Sequence, residues 1–157
     1  MKSIKYNRYI ISFLFLTVSI YILINKVTNV KKSRTVPYSC EQMFNLVNDV
    51  ESYGEFLPYF AGSVVHHRDE DEVQATLSVT AAGIQKSFTT RNRLQTNKMI
   101  EIRLVDGPFS HLEGFWRFDD TSEGCLISFD LEFDFAGRMP VATCDTWSSA
   151  CGVLGRQ

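Results

Sequence analysis

The sequence predicts an α+β domain in which two short helices lead into a sheet of antiparallel strands. Three observations predict it. A helix-start signal at Ser39 precedes the apolar residues Met43, Phe44, Leu46, Val47 and Val50, set at helical spacing. Beyond Pro58, apolar and polar residues alternate through one segment after another, the period of half-buried strands. The segments are joined by turns too short for a crossover, so successive strands must run antiparallel.

Taken in order, Thr35 to Tyr38 has strand character, with Pro37 marking its end. Ser39 reads as an N-cap, and Gln42 three residues later completes a capping-box pattern. A second short helix is expected around Glu51 to Phe56, stopping before Pro58, whose ring disfavours helix at the residue before it. Gly62 to His67 is the next strand, closed by the acidic turn Asp69-Glu70-Asp71-Glu72. Val73, Ala75, Leu77, Val79 and Ala81 then alternate with Gln74, Thr76, Ser78 and Thr80. Gly83 marks a turn into a strand from Ile84 to Leu94, and Thr96-Asn97-Lys98 turns the chain into Met99 to Val105. Asp106-Gly107-Pro108 is a further turn, since Gly and Pro there serve the backbone. Leu112, Trp116 and Phe118 dominate one face of the following strand, which Asp120 to Gly124 ends. In the last strand Ile127, Phe129, Leu131, Phe133 and Phe135 alternate with Ser128, Asp130, Glu132 and Asp134.

A sheet with one apolar face must be covered, and two short helices are too little cover. A long amphipathic helix after Phe135 would complete the domain. Gly137 to Gln157, with Pro140, Gly152 and Gly155, shows no helical period and reads as an irregular tail. The chain thus divides into residues 1–32, 33–138 and 139–157.

Charge separates the first part from the rest. Of the 16 basic residues, Lys2, Lys5, Arg8, Lys26, Lys31 and Lys32 precede Ser33, where no acid occurs; all 18 acids follow. An acidic body argues against broad non-specific nucleic-acid binding, which draws on phosphate neutralisation. Residues 10–24 are almost wholly apolar but fall slightly short of a comfortable bilayer span of about 20 residues. They read either as a membrane anchor or as the product of a start placed too early, and less well as a signal peptide, for want of a small-x-small cleavage site. The expected location is the cytoplasm, with inner-membrane anchoring through residues 10–24 as the added possibility.

Little in the body nominates chemistry. Cys40, Cys125, Cys144 and Cys151 show no CxxC spacing and no nearby histidine pair, so buried or unpaired thiols in a reducing compartment are expected rather than a zinc site or redox dithiol. His66 and His67, adjacent on a strand, should point to opposite faces and not share a metal. His111 has no obvious partner, and GxSxG, HExxH, GxGxxG and P-loop patterns are absent. No metal, no cofactor and no catalytic set are expected, so the chain is not expected to be an enzyme. Arg91 and Arg93 share a strand face, with Lys86, Lys98 and Arg103 nearby in sequence. This group reads either as a patch for ribosomal RNA or anionic headgroups, or as a solvated face balancing local acids.

Several ordered motifs carry a family resemblance: Ser33-Arg34-Thr35-Val36-Pro37-Tyr38-Ser39, Glu41 to Val50, Phe56-Leu57-Pro58, Ser87 to Asn92, Leu104 to Phe109, and Leu112-Glu113-Gly114-Phe115-Trp116-Arg117-Phe118. From Ser33 to Phe135 the chain resembles the RatA-type and coenzyme Q-binding START-like proteins, the polyketide cyclase and lipid-transport (SRPBCC) group. The resemblance implies a helix-grip fold: a curved antiparallel sheet wrapped on a long C-terminal helix, with an apolar cavity between. It further implies binding of ubiquinone or another hydrophobic ligand in support of respiration, or a RatA-type toxin that binds the large ribosomal subunit and blocks subunit association. The family's last helix has no visible counterpart here, and the loss of pattern after Phe135 resembles a frameshifted or truncated, inactive copy.

A cavity of this kind needs apolar walls and a few polar groups. On the helical and central elements the candidates are Phe56, Leu57, Phe60, Trp116 and Phe129. Toward the strand ends they are Val79, Phe88, Leu104, Phe109 and Phe133. Each has the alternative of simply forming the core.

Overall fold

The computed structural model describes residues 28–81 and 84–136. Seven strands form one sheet: β1 (Thr28–Val36), β2 (Phe60–Arg68), β3 (Glu72–Ala81), β4 (Ile84–Gln95), β5 (Met99–Asp106), β6 (Phe109–Thr121) and β7 (Gly124–Phe135). Their order is β1-β7-β6-β5-β4-β3-β2, and every neighbouring pair is antiparallel. Between β1 and β2 lie α1 (Cys40–Asn48), a 3-10 turn (Val50–Ser52) and α2 (Tyr53–Phe56). The expected meander with two leading helices is thus the fold observed. The expected loss of the last helix falls on residues outside those described.

α1 starts where its sequence says. Ser39 is extended at φ −68° and ψ 152°, its hydroxyl accepts the Gln42 N–H at 3.2 Å, and Gln42 Oε1 accepts the Ser39 N–H at 3.1 Å. The helix buries Cys40, Met43, Phe44 and Val47 against β5, β6 and β7. Phe44 meets Phe118 edge to face at 5.7 Å, and Trp116 stacks on Phe129 at 4.2 Å.

The first strand corrects the sequence reading. β1 begins at Thr28, seven residues before the expected start, and ends before Pro37. It pairs along its length with β7, from Thr28↔Phe133 to Val36↔Cys125. As an edge strand it is exposed from Lys31 to Thr35, so no alternation of apolar residues announces it.

The cysteines give a second correction. Cys40 and Cys125, expected as buried or unpaired thiols, form a disulfide with Cα atoms 5.1 Å apart. The bond joins the first residue of α1 to the second of β7. Next to Cys125, Gly124 at φ +130° lets the chain between β1 and α1 pass close by: a Cβ there would lie 2.1 Å from the Val36 carbonyl oxygen.

The histidines give a third. His66 sits at a register shift in β2 between Val65 and His67. The extra residue cancels the alternation. His66 Nε2 lies 2.6 Å from Thr76 Oγ1, and His67 is opposite Gln74, so both take the solvent face. Among the described residues no group of three or more His, Cys, Asp or Glu could hold a metal ion.

Candidate functional site

The inner face of the sheet is built from one parity of each strand. Val73, Ala75 and Leu77 of β3, Ile100 of β5, Leu112, Trp116 and Phe118 of β6, and the odd residues Cys125 to Phe133 of β7 are all buried. The helical arm crosses this face on two footholds. Its first is the disulfide and the packing of α1 on β5 to β7. Its second is β2, where Ser63 Oγ donates to the Val50 carbonyl at 2.9 Å and Tyr53 meets Phe60 edge to face at 5.8 Å. From β7 to β2 the sheet is six strands wide, roughly 24 Å at the usual strand spacing. The 14 residues from Cys40 to Tyr53 span a comparable ~20 Å as helix.

Between the footholds lie β3 and β4, and there the inner face carries smaller and polar side chains. Ala75, Thr90 and Asn92 are 1%, 2% and 8% exposed. Asn92 is flanked by Val73 on β3 and Ile102 on β5, and Thr90 by Ala75 and Leu104. Asn92 Oδ1 is buried and accepts no hydrogen bond. A buried polar atom left unpaired costs free energy, so it marks a place where a partner belongs.

Farther along the face, rings form a connected wall. Phe88 meets Phe109 edge to face at 5.5 Å, and Phe109 meets Phe133 at 6.0 Å. Gly107, at φ +149°, lets the β5–β6 turn close on this wall: a Cβ there would sit 2.6 Å from Phe88 Cβ. Of the ten expected wall residues, Phe88, Leu104, Phe109 and Phe133 come together here. Trp116 and Phe129 form the floor under α1, while Phe56, Leu57 and Phe60 gather at the second foothold. Val79 stands at the far end of β3, opposite Phe60 and Lys86, half-buried.

The five expected partner-binding cations do not form one patch. Arg91, Arg93 and Arg103 take the outer face; Lys86 shares the inner-face parity with Phe88, and Lys98 lies in the β4–β5 turn. Arg103 contacts Glu101 and Glu113 at 2.8 and 2.7 Å, and Arg91 lies 3.5 Å from Glu72. The Glu101 bond holds the Arg103 guanidinium above its ordinary pKa. The outer face therefore carries its charges largely in matched pairs.

Thr90 and Asn92 were missed by sequence reasoning, though a signal was present. Phe88 and Leu94 fix one parity of β4 as apolar, and Thr90 and Asn92 share it.

Comparison with known proteins places this geometry. A family model for polyketide cyclases/dehydrases and lipid transport matches residues 36–145, which extends beyond Phe135, where the motif resemblance ends. Ribosome association toxin RatA of Escherichia coli K12 is 46% identical over 111 residues, 70% of each chain. The mitochondrial coenzyme Q-binding protein COQ10 of Drosophila melanogaster is 29% identical over 109 residues, 66% of this chain and 45% of that protein. A solved START superfamily protein from Mycobacterium smegmatis superposes with a TM-score of 0.62 at 21% identity, covering 82% of this chain and 92% of that one. Sheet and helical arm are those of the START-like, helix-grip fold.

Proposed function

The chain belongs to the polyketide cyclase/dehydrase and lipid-transport family, and on that premise we propose that it binds a lipidic quinone such as ubiquinone, in support of respiration and without catalysing a reaction on it. The observation that carries this reading is the inner face itself: aromatic walls at Phe88, Phe109 and Phe133 and, four residues along β4 from Phe88, a buried amide at Asn92 whose Oδ1 has no hydrogen-bond partner. Apolar walls with few polar groups are what a ligand of this chemistry needs. Similarity to the coenzyme Q-binding protein supports it. Similarity to the ribosome association toxin supports a cytoplasmic location. Among the described residues no helix is long and apolar enough to cross a membrane, and residues 10–24 lie outside them. Organic extraction of the purified protein followed by mass spectrometry tests the reading. Stoichiometric quinone or lipid is expected; an empty extract from protein made in quinone-producing cells, with no uptake of added quinone, overturns it.

A second reading rests on the 46% identity to the ribosome association toxin: binding of the large ribosomal subunit, blocking subunit association. Its test is a sucrose-gradient profile, in which added protein should deplete assembled ribosomes and accumulate free subunits. Support comes from that likeness rather than from charge, since Arg91 and Arg103 are already paired.

A further inference from the structure

We propose that Asn92 is the polar anchor of the inner-face site and that it selects a ligand ring bearing a hydroxyl donor, so that a quinol binds in preference to its quinone. The inference deepens the ligand-binding reading and rests on it. Three observations carry it. Asn92 is 8% exposed, on the inner face of β4 between Val73 and Ile102, within the stretch that the helical arm bridges. Its Oδ1 is buried without a hydrogen-bond partner. Neighbouring inner-face positions are small or short, at Ala75 and Thr90, and leave ring-sized side chains to Phe88 and beyond.

The chemistry follows from the donor count. A carboxamide oxygen accepts and cannot donate. A quinone ring offers only carbonyl acceptors at the positions where the quinol offers two O–H donors. The quinol therefore completes the missing bond at Asn92, and the quinone buries a second acceptor against the first. A site whose buried polar group is satisfied by one ligand and orphaned by another discriminates strongly between them. A preference of about tenfold or more is expected here.

The test is calorimetric titration of the full chain, anaerobically, with three probes: single-isoprenoid ubiquinol, the matching ubiquinone, and the bis-O-methyl ether of the quinol. The ether keeps the electron-rich ring of the quinol but carries a methyl on each oxygen in place of its donors, and the smaller quinone controls for that added bulk. Wild type should bind the quinol about tenfold more tightly than either of the others. Asn92→Leu should lose the quinol preference and bind all three alike, with the quinone held no more weakly than by wild type. Equal affinities in wild type, or a quinol preference that persists in Asn92→Leu, overturn the assignment to Asn92 and leave ligand binding standing. Failure of all three probes to bind wild type overturns the ligand-binding reading and this inference with it. The wild-type comparison stands whether or not the variant folds.

Discussion

Reduction of the Cys40–Cys125 disulfide is expected to cost the domain a large part of its stability. The bond spans 85 residues of sequence. Closing a loop of that length removes about 15 cal/mol/K of entropy from the unfolded chain, or about 4.5 kcal/mol at 25 °C. Net stabilities of domains run at only about 5–15 kcal/mol. With roughly 110 ordered residues the unfolding entropy near the midpoint is about 0.23 kcal/mol/K, so the midpoint should fall by about 20 °C. The assay is thermal unfolding by circular dichroism with and without dithiothreitol. Alkylation and mass mapping establish which thiols are free in each sample. Reduction leaves both sulfurs in place, so it isolates the cross-link. Cys40→Ala/Cys125→Ala should lose somewhat more, because both side chains are buried in the core. Melts that coincide within about 3 °C, with both thiols proven free, would refute the loop-closure argument. Mapping of unreduced protein without a Cys40–Cys125 peptide would refute the pairing itself.

Gly124→Ala should destabilise by about 2 kcal/mol or more, since the new methyl meets the Val36 carbonyl in a backbone conformation L side chains avoid; a denaturant midpoint equal to wild type would contradict this. Asp69 accepts from His67 and from the Asp71 and Glu72 N–H groups, and these bonds, the histidine's first, hold its carboxyl below the ordinary value. A carboxyl depressed in the folded state adds stability above its unfolded pKa and loses it as pH falls through the folded one. His67→Gln should therefore move the Asp69 carboxyl resonance toward the ordinary carboxylate midpoint in an NMR titration, and an unmoved midpoint would assign the shift to the backbone donors alone. The Tyr53 hydroxyl donates to the Val47 carbonyl, and burial, with Asp49 nearby, raises its pKa. It stays neutral where exposed tyrosines ionise, and stability that holds below the ordinary tyrosine pKa should fall as pH rises beyond it; Tyr53→Phe should cost about 1 kcal/mol at neutral pH and flatten that alkaline loss.

What was legible in the sequence is what repeats or is local. The Ser39/Gln42 box needs only four residues, and the alternation in β3, β5 and β7 needs only one buried face. What was hidden depends on distant partners. β1 owes its length to β7, a hundred residues away, and its own exposed residues from Lys31 to Thr35 say nothing of it. The disulfide has no local spacing to reveal it, because Cys40 and Cys125 meet only once α1 crosses the sheet. His66 and His67 broke the two-residue rule through a bulge that composition does not mark. Within the site, the aromatic wall at Phe88, Phe109 and Phe133 was legible as apolar residues, but its separation from the Phe56, Leu57 and Phe60 group was not. That division follows from where the helical arm sets its feet.

The two faces of the sheet differ in how completely their polar groups are matched, and this bears on function more directly than their composition does. On the outer face Arg103 is held between Glu101 and Glu113, Arg91 faces Glu72, and Lys31 meets Asp130 at 3.1 Å. Thr76 and Thr89 share a hydrogen bond at 2.7 Å, and Ser78 and Ser87 another at 2.9 Å. A phosphate-bearing partner docking there through Arg103 or Arg91 would have to displace carboxylates already in place, and exposed pairs of this kind gain little from the exchange. On the inner face the balance is reversed. Asn92 Oδ1 lies among Val73, Ile102 and Leu94 with no donor to meet it, and a replacement by leucine would serve packing better. A group that weakens the fold where an apolar one would strengthen it is best explained by a bond formed outside the fold. The inner face lacks one hydrogen-bond donor, and a hydroxyl-bearing ring supplies it.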